Sequence, residues 1–476
     1  MNKFIENYLK ENKDYFKQVS EFIYNHPETR FEEYKSYEFL ASECEKQGFT
    51  VDRNVANIKT AFTATYGSGK PVIGFLGEFD ALSGLSQKPN ETSYQPLEKN
   101  GNGHGCGHNL LGTGAFAAAC AIKKYLEENN LPGTVKFFGC PGEEGGSGKT
   151  FMVREGVFDN VDAALSWHPS PANAIMSLSS LANYQVYFQF KGTSSHAANT
   201  PHLGRSALDA IELMNVGVNY LREHVIDDAR MHYAVTNTGG ISPNVVQANA
   251  EVLYLLRAPR VDQVDDIFQR VKKIAEGAAL MTETEVTIKF DKACSNYIPN
   301  RHLEKILYKN LQEVGVEPPS ESQIKFAKEL WSTFTEGEQK GYLDSMKGFG
   351  YFGDGSEFQG KYLSDSISTY YESQETLKGS TDVADVSWVV PTAQLTASTS
   401  ALGTALHTWQ MTAQGLSSYA HKGMLRAAGS MAKTGLDLYT SEEDLNKVKE
   451  EFNKFRQKNN YTCPIPNDVT PSKLND

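Results

Sequence analysis

Apolar residues recur at helical spacing over residues 3 to 24 and again over 34 to 48, with Asn25-His26-Pro27-Glu28 between them as a turn. The period then changes. Short apolar runs at 71–77 (PVIGFLG), 133–140 (GTVKFFGC) and 162–168 (DAALSWH) read as buried strands, and 110–129 reads as a helix between two of them. Strands alternating with helices predict an α/β fold whose mixed, mostly parallel sheet is covered by helices.

From about residue 183 the segment YQVYFQFKG alternates apolar and polar side chains, as a strand with one exposed face does. A helix at 203–222, a strand at 250–257, a helix at 262–279 and the strand TEVTIKF (284–290) complete an α+β unit. The expected organisation is a discontinuous catalytic domain, 1–182 and 298–476, interrupted by an inserted domain, 183–297. A length of 476 residues, beyond what one core serves, agrees with this division. After residue 300 helices and apolar runs return. Gly379 to Pro391 reads as a Gly/Ser/Asp-containing segment, 423–438 as a helix, and the final NYTCPIPNDVTPSKLND as coil.

Charge and cysteine usage narrow the function. With 46 basic against 58 acidic residues the net charge is −12, which disfavours attraction to a polyanion, so nucleic acid is not an expected partner. The N-terminal MNKFIENYLKENKDYF is charged throughout and no window approaches a membrane span, so a cytoplasmic chain with no membrane partner is expected. The six cysteines lie far apart, which favours reduced thiols over a disulfide framework.

Three segments fall at predicted strand ends and offer groups able to hold a divalent metal: Gly103-His104-Gly105-Cys106-Gly107-His108, Pro141-Gly142-Glu143-Glu144-Gly145-Gly146, and Ser166-Trp167-His168-Pro169. Glycines around Cys106 and His108 leave a bare backbone, so thiolate and imidazole can turn toward one point. A Gly-rich loop with a buried cysteine and an incidental histidine explains that segment equally well when it is taken alone. In Glu143-Glu144 a dication would relieve the mutual repulsion, leaving one carboxylate to coordinate and the other to accept a proton from water. An ordinary acidic loop is the simpler account of an isolated pair, as a hydrogen-bonded strand-end histidine is of His168. The three segments together favour a metal site. Glu78 and Asp80 close the strand ending at Gly77, where Asp80 is either a carboxylate orienting a metal-bound histidine or a turn residue.

These motifs resemble the peptidase M20 family, in its aminoacylase-like branch, subfamily D. The resemblance runs from His26-Pro27-Glu28 through EFDAL (78–82), HGCGHN (104–109), PGEEGG (141–146), WHP (167–169), GTSSHAA (192–198), the Asn244 to Arg257 stretch and GSTD (379–382) to GTALH (403–407). It implies a zinc-peptidase-like catalytic domain with an inserted lid and dimerisation domain. It also implies Cys106, His108, Glu144, His168 and His407 as metal ligands, Glu143 as general base, Asp80 as orienting carboxylate and His196 as oxyanion donor reaching a partner subunit's site. Asn244 and Arg257 would lie at the substrate. His421, in AHKGM, is the alternative to His407 as last ligand.

Two divalent ions are implied. Thiolate and imidazole favour zinc, with cobalt or manganese as alternatives, and the resemblance adds weight to manganese. The implied activity is hydrolysis of the amide of a small N-acyl or N-aroyl amino acid, with p-aminobenzoyl-glutamate foremost. A dipeptidase or general aminoacylase is the nearest alternative, and a non-catalytic subunit the alternative from another class. The implied assembly is a homodimer or a heteromer with a related subunit. The chain departs from the common branch pattern at Glu78 and Asn109, where aspartate is usual.

Overall fold

The computed structural model describes residues 2–473. Among these, the strands are β1 (Thr50–Arg53), β2 (Phe62–Ser68), β3 (Val72–Glu78), β4 (Gly133–Cys140), β5 (Ala163–Ser170), β6 (Ala174–Ile175), β7 (Ser179–Ser180), β8 (Ala182–Lys191), β9 (Arg230–Asn237), β10 (Asn249–Ala258), β11 (Glu285–Cys294), β12 (Thr376–Leu377) and β13 (Thr392–Ser398). They form a seven-stranded sheet ordered β1-β2-β4-β3-β5-β13-β6, a four-stranded sheet ordered β11-β8-β10-β9, and the pair β12-β7. In the large sheet β4, β3, β5 and β13 run parallel, and antiparallel pairings add β2 and β1 at one edge and β6 at the other.

The central strands are apolar on both faces because helices cover both faces. Side chains alternate: Ile73 and Phe75 of β3 enter one core with the long helix Ser418–Thr440 and the helix His108–Asn129, while Val72 and Leu76 enter the other. That second core is continuous with the buried faces of β8 and β10, so the two sheets are packed through shared apolar residues. In β10 every second residue is buried, from Ala250 to Ala258, beneath the helices Ala207–Leu221 and Val261–Thr282.

Several elements differ from the sequence expectation. The first helix is two, Asn2–Glu11 and Lys13–Tyr24, broken at Asn12, whose side-chain amide turns back to the carbonyl of Tyr8. Strand β9 lacks an alternating pattern because it is an edge strand, largely exposed. The Gly379 to Pro391 segment contains a helix, Val383–Val389. The terminal coil packs on the body through buried Ile465; its last three residues lie outside those described. All six cysteines are free thiols, and among the described residues no helix is long and apolar enough to cross a membrane.

Candidate metal centre

Loops at the carboxyl ends of β3, β4, β5 and β13 converge on one pocket, the edge at which open α/β sheets bind ligands. Beyond β3 comes Asp80, and the loop before the helix His108–Asn129 carries Cys106 and His108. Between these two, Gly107 has φ 78°, and a Cβ there would lie 3.0 Å from the side chains of Met411 and Pro169, so only glycine lets the chain turn with both donors facing inward. The exit of β4 carries Glu143 and Glu144, and His168 lies near the end of β5. After β13, His407 holds a left-handed φ of 61°, unusual for a side chain with a Cβ, and its amide donates to the Gly105 carbonyl at 2.8 Å.

Three groups of donor atoms each lie within 4.8 Å of one another: Cys106, His108 and His168; Cys106, Glu144 and His407; and Glu78, His108 and Glu143. Cys106 belongs to the first two, so one sulfur is shared between neighbouring sets of three. Its Sγ is 3.4 Å from His168 Nε2, and His407 Nε2 is 3.2 Å from Glu144 Oε2.

Hydrogen bonds set the tautomers. His108 Nδ1 donates to Asp80 Oδ1 at 2.9 Å and His168 Nδ1 donates to the Pro169 carbonyl at 2.8 Å, which leaves each Nε2 with a lone pair directed into the pocket. His108 Nε2 lies 3.3 Å from Glu78 Oε2, yet it and Glu144 Oε1 are buried without a hydrogen-bond partner among the described residues. Unpartnered buried donor atoms converging with a thiol are what a cation would satisfy, so these residues fit a metal pair.

The electrostatics separate the two adjacent carboxyls. Burial, reinforced by Glu78, Asp382 and Glu144, pushes Glu143 well above the usual carboxylate range. For Glu144 burial acts in the same direction, but the hydrogen bond from His407 prevails and holds it at about 2. One carboxyl is thereby held ionised beside the donor sets while its neighbour retains affinity for a proton. Burial raises the Cys106 thiol, helped by Glu144, and a cation would reverse that by stabilising the thiolate.

Residues that sequence reasoning did not single out hold the pocket in shape. Asp80 was anticipated as an orienter, but it does two things: besides His108 it accepts from the Glu144 amide at 2.9 Å. Buried Glu33 accepts from the amides of Phe31 and Gly142 and from Thr60, all at 2.9 Å, supporting the Glu143 loop from below. Arg30 donates to the Gly145 carbonyl of that loop and pairs with Asp291 of β11 at 3.0 Å. Lys149, fully buried, binds Glu78 at 2.6 Å and Asp382 of the GSTD stretch at 2.7 Å. Glu78 therefore fills its departure from the usual aspartate by spanning from this lysine to His108. A signal was available in that departure and in the unassigned GSTD motif.

His196, Asn244 and Arg257 belong to none of the three donor groups. All lie on the four-stranded unit. His196 is exposed, pairs with Val245 through an isolated bridge, and the amide of Ala197 donates to the Asn244 carbonyl at 3.0 Å, so His196 and Asn244 are neighbours. Arg257 is half-buried on β10, its Nε without a partner among the described residues. His421 is buried on the helix Ser418–Thr440 and belongs to none of the donor groups.

Known proteins agree with this architecture. A model of peptidase family M20/M25/M40 matches residues 74–360. A subunit of the p-aminobenzoyl-glutamate hydrolase of Escherichia coli (strain K12) is 52% identical over 99% of both chains. A Xaa-Arg dipeptidase of Mus musculus is 31% identical over 64% of this chain and 70% of its own. Among solved structures, a dinuclear metal binding peptidase from Bacillus subtilis superposes with a TM-score of 0.54 at 15% identity, covering 91% of this chain and 99% of that one.

Proposed function

The chain belongs to peptidase family M20/M25/M40, and from that premise we propose that it cleaves the amide of p-aminobenzoyl-glutamate, releasing p-aminobenzoate and glutamate. The observation that carries the reading is the pair of donor sets sharing Cys106, with Glu143 beside them and not needed by either. The substrate follows from the relative that matches over the full length.

In this reading Cys106, His108 and His168 hold one divalent ion and Cys106, Glu144 and His407 the other, zinc or manganese, with cobalt as a substitute. Bound there, the ions would polarise the scissile carbonyl and acidify the attacking water. Glu143, raised by burial, takes the proton from that water and returns it to the leaving amine. Asp80 keeps His108 in its ligating tautomer. His196 supplies the oxyanion contact: its Nδ1 accepts from the amides of Ala198 (3.2 Å) and Asn199 (3.1 Å), so the neutral ring carries its proton on Nε2 as a donor. Asn244, its neighbour, contacts the substrate, and Arg257 pairs with a substrate carboxylate.

Residues 183–297 serve as lid and docking unit. Leu213, Val216 and Tyr220 form an exposed apolar stripe on one helix, and Tyr233 and Val235 are exposed on the free edge strand β9, which supports a homodimer or a heteromer with a related subunit. Unpaired thiols support a reducing, cytoplasmic setting.

The test is a substrate panel on the purified, zinc- or manganese-reconstituted chain: p-aminobenzoyl-glutamate, N-acetyl-glutamate and dipeptides. Hydrolysis of the first with the highest kcat/KM, lowered about 10²- to 10⁴-fold in Glu143→Ala at unchanged metal content, is expected. Preference for dipeptides would move the assignment to dipeptidase. An inactive chain that regains activity only with a second polypeptide would make it a supporting subunit.

A further inference from the structure

Beside the metal pocket lies an aromatic ring that neither donor set uses. The helix Glu336–Lys347 opens on a capping box from Thr335 and Glu338 and ends in a tight turn in which the amides of Phe349 and Tyr351 both donate to the Met346 carbonyl. Met346 and Tyr351 are fully buried in a small cluster with Ala172, Phe358 and Leu402, apart from the main cores. Gly350 has φ 83°, and a Cβ there would sit 2.2 Å from the Ile175 carbonyl, so the turn lies directly against β6. The Phe349 carbonyl accepts from Thr396 Oγ1 at 3.1 Å, and Thr396 is the register partner of His168 across β5 and β13.

The turn is thus fixed on both sides of Phe349 and by Phe349's own backbone, while its side chain stays half-buried. That ring lies 5.9 Å from the His168 ring, tilted by 34°. His168 belongs to one of the donor sets, so an apolar aromatic ring stands beside one of the candidate metal-binding side chains.

We propose that Phe349 is a specificity-determining residue, the wall against which the aromatic ring on the acyl side of the substrate packs. The proposal rests on the aroyl-amino-acid reading above and adds which half of the substrate lies where. The acyl ring is joined directly to the reacting carbonyl, and aromatic rings favour offset or edge-on neighbours with centroids about 4.5–7 Å apart. The glutamyl half carries two carboxylates, which lose hydration against a phenyl face that offers no donor, so that half points away from Phe349.

The experiment compares wild type, Phe349→Ala, Phe349→Leu and Phe349→Tyr, all metal-reconstituted, on p-aminobenzoyl-glutamate and N-acetyl-glutamate, with metal content and melting temperature recorded for each. Binding of free p-aminobenzoate is measured in parallel by calorimetry. Expected are a loss of about 10- to 30-fold in kcat/KM for the aroyl substrate in the alanine variant, a smaller loss in leucine and near-retention in tyrosine. The acetyl substrate should change less than about 3-fold, and p-aminobenzoate should weaken in step with the aroyl substrate. Equal losses on both substrates, or none on either, would overturn the assignment of Phe349 while leaving the aroyl reading intact. A wild-type chain that does not prefer the aroyl substrate would overturn both.

Discussion

In the strand-end pocket His108 and His168 each donate from Nδ1, to Asp80 and to the Pro169 carbonyl, and present a bare Nε2. On the four-stranded unit His196 is wired the opposite way, with Nδ1 accepting from two backbone amides and Nε2 carrying the proton. The first wiring leaves a nitrogen able to accept a cation and the second a nitrogen able to donate, so residue type alone does not say what the ring offers; the partner of the other nitrogen does. The two regions also differ in completeness. The pocket histidine His108 is fully buried among charged neighbours that orient it, whereas His196 is exposed on a turn, its Nε2 free to meet another surface.

The largest break in this contrast is expected from Cys106→Ala. Because both donor sets use its sulfur, the substitution should lower metal content below that of His168→Ala and reduce activity beyond the roughly 10- to 100-fold typical of outer-shell changes. Elemental analysis of the two variants side by side decides it, and equal metal contents would show that the sulfur is not shared.

His196→Ala sharpens the other side. It should reduce kcat by about 10²- to 10³-fold with metal content unchanged, as removal of an oxyanion donor does. Mixing it with Glu143→Ala chains should restore activity if the histidine acts across an interface between two chains, and a variant with full activity would remove the four-stranded unit from the chemistry.

The smallest effect is expected from Lys149→Met, which leaves Glu78 and Asp382 without their shared cation behind the pocket. A loss of about 10- to 100-fold in kcat with little change in KM, and partial recovery in Lys149→Arg, would mark a positioning residue. Equal falls in kcat and in the fraction of folded protein would mark a purely structural one.

Periodicity was enough for the buried strands β3, β4 and β5 and for the long helices, because burial on both faces writes continuous apolar runs into the sequence. It was silent for β9, whose exposed face carries no pattern. The loops that bring the donor groups together were legible because glycines, paired carboxylates and histidines at strand ends are unusual together. Their supports were not: Glu33, Arg30 and Lys149 reach the pocket from elements whose local sequence does not reveal what they touch. Phe349 was hidden for the same reason, since among 25 phenylalanines only the fold says which one borders His168.

Arg30 gives the contrast between the regions a mechanical meaning. One guanidinium grips the backbone just after Glu143-Glu144 and, through Asp291, the last strand of the four-stranded sheet. The segment that bears Glu143 is thus pinned like a hinge leaf to both halves of the molecule. Any shift of β11 against the large sheet therefore bears, through this one side chain, on the carbonyl of Gly145, two residues from Glu143.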